Sequence, residues 1–274
     1  MYYWKKFRWI GLGLGIGLII IIISVLVPAQ EDTEIKTLQI SQANLELLNR
    51  IRGCRPADLC DAMDAIGLVG VGSMSPEMRP IRPGISFAGF AYTVKYVPTK
   101  RRVKQCSSLE EYQKELGAWG KEVYAFTKGL QDANNIVCVV DMQGMPVGLW
   151  GSLIGMEMTH NGLEGVVLDG TCRDSYECNI EGVNAFCTKR SYNHPYGRIE
   201  LDGVNVPINC AGVKVNPGDI ISADDDGVLV IPHQKAELVV EIAEKILSND
   251  QEQRAKWYKT LQLPPDDTLG KFKW

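Results

Sequence analysis

Arg173 and Asp174 stand side by side just beyond an apolar stretch, and their side chains have complementary chemistry. A guanidinium holds a planar carboxylate or an enolate oxygen with two parallel hydrogen bonds, a task an ammonium performs less well. The neighbouring carboxylate is a hard oxygen donor suited to Mg2+ or Mn2+. Glu177, three residues on, is a candidate acceptor for a metal-bound water. Upstream, Gly151-Ser152-Leu153-Ile154 reads as the opening of a helix, whose first amides lack internal partners and attract a carboxylate. The plainer alternative makes Arg173 and Asp174 a surface ion pair and Asp169-Gly170 a simple turn.

These groups need elements to position them, and the apolar periodicity supplies them. Residues 165–169 read as a strand ending at Asp169-Gly170, which leaves Thr171 to Asp174 in the loop past its end, where functional groups concentrate. A helix follows Gly151. Further strands are expected over 86–97, 135–141, 183–188, 204–208, 212–215, 219–223 and 227–231. Amphipathic helices are expected over 40–52, 56–66 and 236–247, with another from Ser108 into Leu130. This alternation argues a mixed α/β domain over 44–247, with a charged surface insertion at 100–122 and a polar tail over 248–274.

The first thirty residues are set apart. Lys5, Lys6 and Arg8 precede an uncharged apolar run over 9–27, the pattern of a signal peptide or an uncleaved membrane anchor. With the basic flank inside, the domain beyond a linker over 31–43 is expected on the extracytoplasmic, periplasmic side. The net charge of -4 gives no basic surface for nucleic acid. Eight scattered cysteines without a CxxC pair speak against zinc, and export permits one or two disulfides at most.

Several separated motifs resemble, in the right order, those of the RraA-like family. They are Pro56-Ala57-Asp58-Leu59-Cys60-Asp61 running on to Gly67, Phe87-Ala88-Gly89-Phe90-Ala91-Tyr92-Thr93-Val94, the Trp150-Gly151-Ser152-Leu153 and Asp169-Gly170-Thr171-Cys172-Arg173-Asp174 segments, and the stretch from Val215-Asn216-Pro217-Gly218-Asp219 to Pro232. The resemblance covers residues 44–245. That family includes 4-hydroxy-4-methyl-2-oxoglutarate aldolases, oxaloacetate decarboxylases and the regulator of ribonuclease activity A. The resemblance implies an α/β/β/α sandwich behind the N-terminal segment, a homotrimer or hexamer, and sites at subunit interfaces. It also implies a class II pyruvate aldolase chemistry on a small 2-oxo acid. Arg173 would bind the pyruvyl group, Asp174 would anchor Mg2+ or Mn2+, and the amides of Gly151, Ser152, Leu153 and Ile154 would cradle the substrate carboxylate. The alternative is a non-catalytic trimeric binding or regulatory protein of the RraA kind.

One position departs from the aldolase pattern. Where that pattern has an acidic residue upstream of the Arg-Asp pair, this chain has Ser152, and a hydroxyl is no carboxylate base near neutral pH. Aldol cleavage is affected more than metal or oxo-acid binding; Glu157 is the nearest substitute. His160, His194 and His233 read as surface or loop histidines, and Asp224-Asp225-Asp226 as a turn with capping carboxylates. No glycine-rich loop of the nucleotide-binding kind supports a methyltransferase.

Overall fold

The computed structural model describes residues 40–270. The segment expected to be a signal peptide or anchor, and most of the linker, lie outside the described residues. No described helix is long and apolar enough to cross a membrane.

Two helices, α1 (Gln42–Arg52) and α2 (Pro56–Ala65), lead through a glycine-rich passage into the short strand β1 (Arg79–Pro80) and the long strand β2 (Phe87–Pro98). Then come α3 (Leu109–Val123), a 3-10 turn (Ala125–Leu130), β3 (Ile136–Asp141), β4 (Gly148–Trp150), α4 (Ser152–His160), β5 (Gly165–Cys172), α5 (Ser175–Ile180) and β6 (Ala185–Arg190). The chain continues through β7 (Ile199–Val204), β8 (Ile208–Cys210), β9 (Val213–Val215), β10 (Ile220–Asp224) and β11 (Gly227–Ile231) to α6 (Ala236–Leu261). Strands β2, β3, β5 and β6 pair in parallel; the nearly unbroken apolar runs of β2, β3 and β5 are buried on both faces, while β6 emerges at Lys189 and Arg190.

The main path of the sheet runs β1-β6-β5-β3-β2-β10-β11, with β4 added to β5 and β7 to β2. The strands of the expected two-layer sandwich are therefore joined in one nine-stranded sheet, beside a separate β8-β9 hairpin. The reason lies in β2. Its first residues pair with β10, its middle with β3 and its last with β7, so one long strand serves both halves, with a register shift between Lys95 and Tyr96. The sheet curls until its ends meet: Arg79 on β1 donates to the carbonyls of Asp225 and Asp226 in the β10-β11 turn, at 3.2 and 2.7 Å.

Four sequence expectations shift. The strand predicted over 165–169 continues to Cys172, because β4 joins its far end and keeps the ladder going. The strand predicted over 204–208 is the link between β7 and β8. The helix predicted over 236–247 runs on to Leu261, carried by good helix formers, until Gln262 turns left-handed before Pro264. The charged stretch at 100–122 is more than a surface addition: α3 buries Trp119 and Val123, and Tyr96 donates to the Val123 carbonyl at 2.6 Å.

Candidate functional site

Arg173 follows β5 directly. Its amide donates to the Trp150 carbonyl of β4 at 2.9 Å, and the thiols of Cys172 and Cys178 both point at its own carbonyl, at 3.3 and 3.6 Å. The peptide is thus held on both sides before the chain turns. Asp174 makes that turn in the left-handed region, with φ 54 and ψ 39, and caps α5. Such a conformation costs a non-glycine residue about 1 kcal/mol, and aspartate tolerates it better than most. Its consequence is direction. The carboxylate swings back toward Gly151, where Arg173 Nε donates to Asp174 Oδ2 at 3.2 Å.

Two glycines make this approach possible. A Cβ on Gly151 would lie 2.5 Å from Asp174 Oδ2 and 3.1 Å from Arg173 Cγ, and one on Gly148 would lie 2.8 Å from Arg173 Cβ. The close packing of β4 and the start of α4 against the arginine and aspartate therefore requires bare backbone at both positions. Gly151 is also the N-cap of α4 and supplies no capping side chain. The first internal bond of that helix runs from the Gly155 amide to the Gly151 carbonyl at 2.9 Å, so the amides of Ser152, Leu153 and Ile154 precede the helical ladder. They present partial positive charge beside the guanidinium.

A cavity of about 380 Å³ opens at this point, lined by Gly151, Leu153, Ile154, Arg173 and Asp174 together with Leu149, Leu116, Trp119, Gly120, Tyr124, Thr127, Glu157 and His194. Five predicted residues thus meet at one cavity. Ser152 is the exception among the loop residues: its side chain is buried and its hydroxyl donates to Glu181 Oε1 at 2.8 Å, toward α5. Glu177 lies exposed in the first turn of α5, outside the lining of the cavity, beyond the left-handed turn at Asp174. Glu157 lines the cavity instead.

His194, read from the sequence as a loop histidine, is also in the wall. Its Nδ1 accepts the Tyr196 amide at 3.0 Å, and burial, then Arg173 and Arg198, hold its pKa below the ordinary 6.5. Tyr124 donates to the Leu149 carbonyl at 3.2 Å, and burial pushes its phenol up to about 12, so it serves as a neutral hydroxyl. A lone histidine and an aromatic pair in a charged insertion carry no spacing that links them to residues 151–174; only the fold brings them there. The acidic turn behaves as expected: Asp224 accepts the Asp226 amide at 2.9 Å and Asp225 the Gly84 amide at 2.8 Å. Among the described residues no group of three or more His, Cys, Asp or Glu side chains converges on a metal position. Among the described residues no disulfide joins one cysteine to another.

The family model described as RraA-like, Aldolase/RraA, matches residues 56–230, and the chain belongs to that family. Protein DlpA of Legionella pneumophila is 30% identical over 195 residues, covering 71% of this chain but only 29% of that protein. A Halalkalibacterium halodurans protein provisionally named a 4-hydroxy-4-methyl-2-oxoglutarate aldolase is 28% identical, covering 77% of this chain and 89% of the relative. In fold, the chain is similar to RraAS2 of Streptomyces coelicolor, described as an unusual member of the RNase ES inhibitor RraA family. The TM-score is 0.60 at 21% identity, over 83% of this chain and 100% of the other.

Proposed function

We propose that the protein is a divalent-metal-dependent carbon–carbon lyase of the class II pyruvate aldolase type, acting on a 2-oxo acid through a pyruvate enolate. The observation that carries this reading is the convergence of Arg173, Asp174 and the open amides of α4 on one cavity. The aldolase name of relatives near 30% identity supports the reaction class.

The substrate carboxylate fits the amides of Ser152, Leu153 and Ile154, where backbone donors and the helix terminus both favour an anion. Arg173 Nε is engaged with Asp174, which leaves the outer guanidinium nitrogens for the 2-oxo oxygen. As the C–C bond breaks, its electron pair passes into the enolate, and the guanidinium offsets the charge that gathers on that oxygen. The enolate then takes a proton at carbon to give pyruvate.

The residues present fit Mg2+ or Mn2+. Asp174 Oδ2 is taken by Arg173, while Oδ1 of this half-exposed carboxylate remains for a hard cation beside the cavity. One carboxylate with substrate and water ligands is an ordinary Mg2+ arrangement. When bound there, the ion supplies Lewis acidity to the 2-oxo group.

Ser152 places no base at the cavity, since its hydroxyl is engaged with Glu181. Decarboxylation needs no base to open the C–C bond, whereas aldol cleavage must deprotonate a hydroxyl. Oxaloacetate is therefore the substrate that asks least of this chain. The same serine favours the second reading, a trimeric binding module, and the exposed Leu153, Tyr176 and Ile180 on α4 and α5 offer apolar surface for self-association.

The test follows pyruvate release from oxaloacetate with Mg2+ or Mn2+ against a chelated control and Arg173→Ala, with assembly checked by light scattering. Metal-dependent turnover that falls at least about 100-fold in Arg173→Ala is expected. Turnover no faster than metal alone, from folded protein, would favour the binding module.

A further inference from the structure

Resting on the reading of the cavity as a 2-oxo acid site, we propose that its substrate carries a bulky apolar or aromatic group beyond the reacting carbon, and that α3 selects it. Two observations carry this. The first is size: at about 380 Å³ the cavity lies within the roughly 300–1,000 Å³ of sites for drug-sized ligands, far more than a three-carbon oxo acid fills.

The second is the chemistry of the wall away from Arg173. Leu116, Trp119 and Tyr124, on α3 and just after it, face the cavity with Leu149 and Ile154. Trp119 is fixed there, 8% exposed and packed edge-on against Tyr196 at 5.6 Å. Arg173 is the single Lys or Arg among the lining residues, and Glu157 is anionic. A dicarboxylic acid would hold one carboxylate with Arg173 and the α4 amides and bury the other among apolar groups with no cation to meet it. An aromatic or branched aliphatic group meets no such penalty and gains by leaving water. Oxaloacetate is then a weak binder that still reacts, because losing its second carboxylate as CO2 moves that charge out of the apolar end and onto the enolate oxygen beside Arg173.

Gly120 makes the idea testable without dismantling the wall. It lies on α3 and lines the cavity, and a Cβ there would meet only Tyr124 Cδ2, at 3.9 Å. With its Cβ position open and Gly120 in the cavity wall, Gly120→Leu is a means of filling part of that space, and Gly120→Ala makes the smaller intrusion with a gain in helix propensity.

The experiment is a calorimetric titration of the full chain, with Mg2+ present, by 2-oxo-4-phenylbutanoate and by 2-oxobutanoate, which lacks the ring. The wild-type protein is expected to bind the phenyl acid at least about 10-fold more tightly. Read as the ratio of the two Kd values within each protein, that advantage should be erased in Gly120→Leu and reduced several-fold in Gly120→Ala. Arg173→Ala should weaken both acids. Equal Kd values for the two acids, still dependent on Arg173, would overturn the apolar selectivity and leave the oxo-acid reading standing. A ring advantage that survives in Gly120→Leu and Gly120→Ala would overturn the role of α3. Binding of neither acid would overturn both readings together.

Discussion

The Nδ1 of His194 accepts a backbone amide, so the neutral imidazole carries its proton on Nε2. Burial, followed by Arg173 and Arg198, disfavours the charged ring, while Asp174 acts in the opposite direction. The folded pKa lies below 6.5, so the unfolded chain takes up the proton first as pH falls. The stability this contributes is complete above that value and is lost as pH drops through the folded pKa. An NMR titration of metal-free protein should give a His194 midpoint below 6.5, moved upward in Arg173→Ala as one cation leaves. A midpoint at or above 6.5 would contradict the arrangement. Arg173 and Asp174 were legible in the sequence because they are adjacent, with matched chemistry, at the end of an apolar run. His194 was not, because it reaches the cavity from the loop after β6, and nothing in its neighbours distinguishes it from a solvent-facing histidine.

Where β4 turns into α4, the element packs so closely on the end of β5 that Gly151 admits no side chain without moving the Asp174 carboxylate. Gly151→Ala should displace Asp174 and Arg173, lowering kcat/KM for oxaloacetate on the order of 10- to 100-fold, since a shift of about 1 Å at a positioned group has such effects. Thermal unfolding followed by circular dichroism should show a smaller change; unaltered kcat/KM in a folded variant would mean that this contact does not position the pair. The parallel strands β2, β3 and β5 were legible as apolar runs bounded by Gly, Asp and Pro. The six-residue α5 was not, since it starts from a left-handed aspartate that sequence spacing does not reveal. The insertion read as charged surface because its buried face holds only Trp119 and Val123 among many charges.

At the scale of the molecule, one curled sheet brings the ends of β4 and β5, the start of α4 and the α3 wall to a single cavity. The family was legible because its motifs, on α2, within β2, at the start of α4, at the end of β5 and from β9 to β11, are distributed along the chain, each visible without knowing the pairings. The joining of both halves through β2 was not, because a strand's partners are set by register across distant segments. The central claim is that this convergence stabilises an enolate rather than merely holding an acid. Oxalate resembles the planar, doubly anionic pyruvate enolate, so its affinity against pyruvate tests that claim most directly. With Mg2+ present, calorimetry should show oxalate bound at least about 100-fold more tightly than pyruvate, as analogues of reactive states are, with the difference largely lost in Arg173→Ala. Equal affinities for the two, or a preference for oxalate that survives without Arg173, would contradict the account.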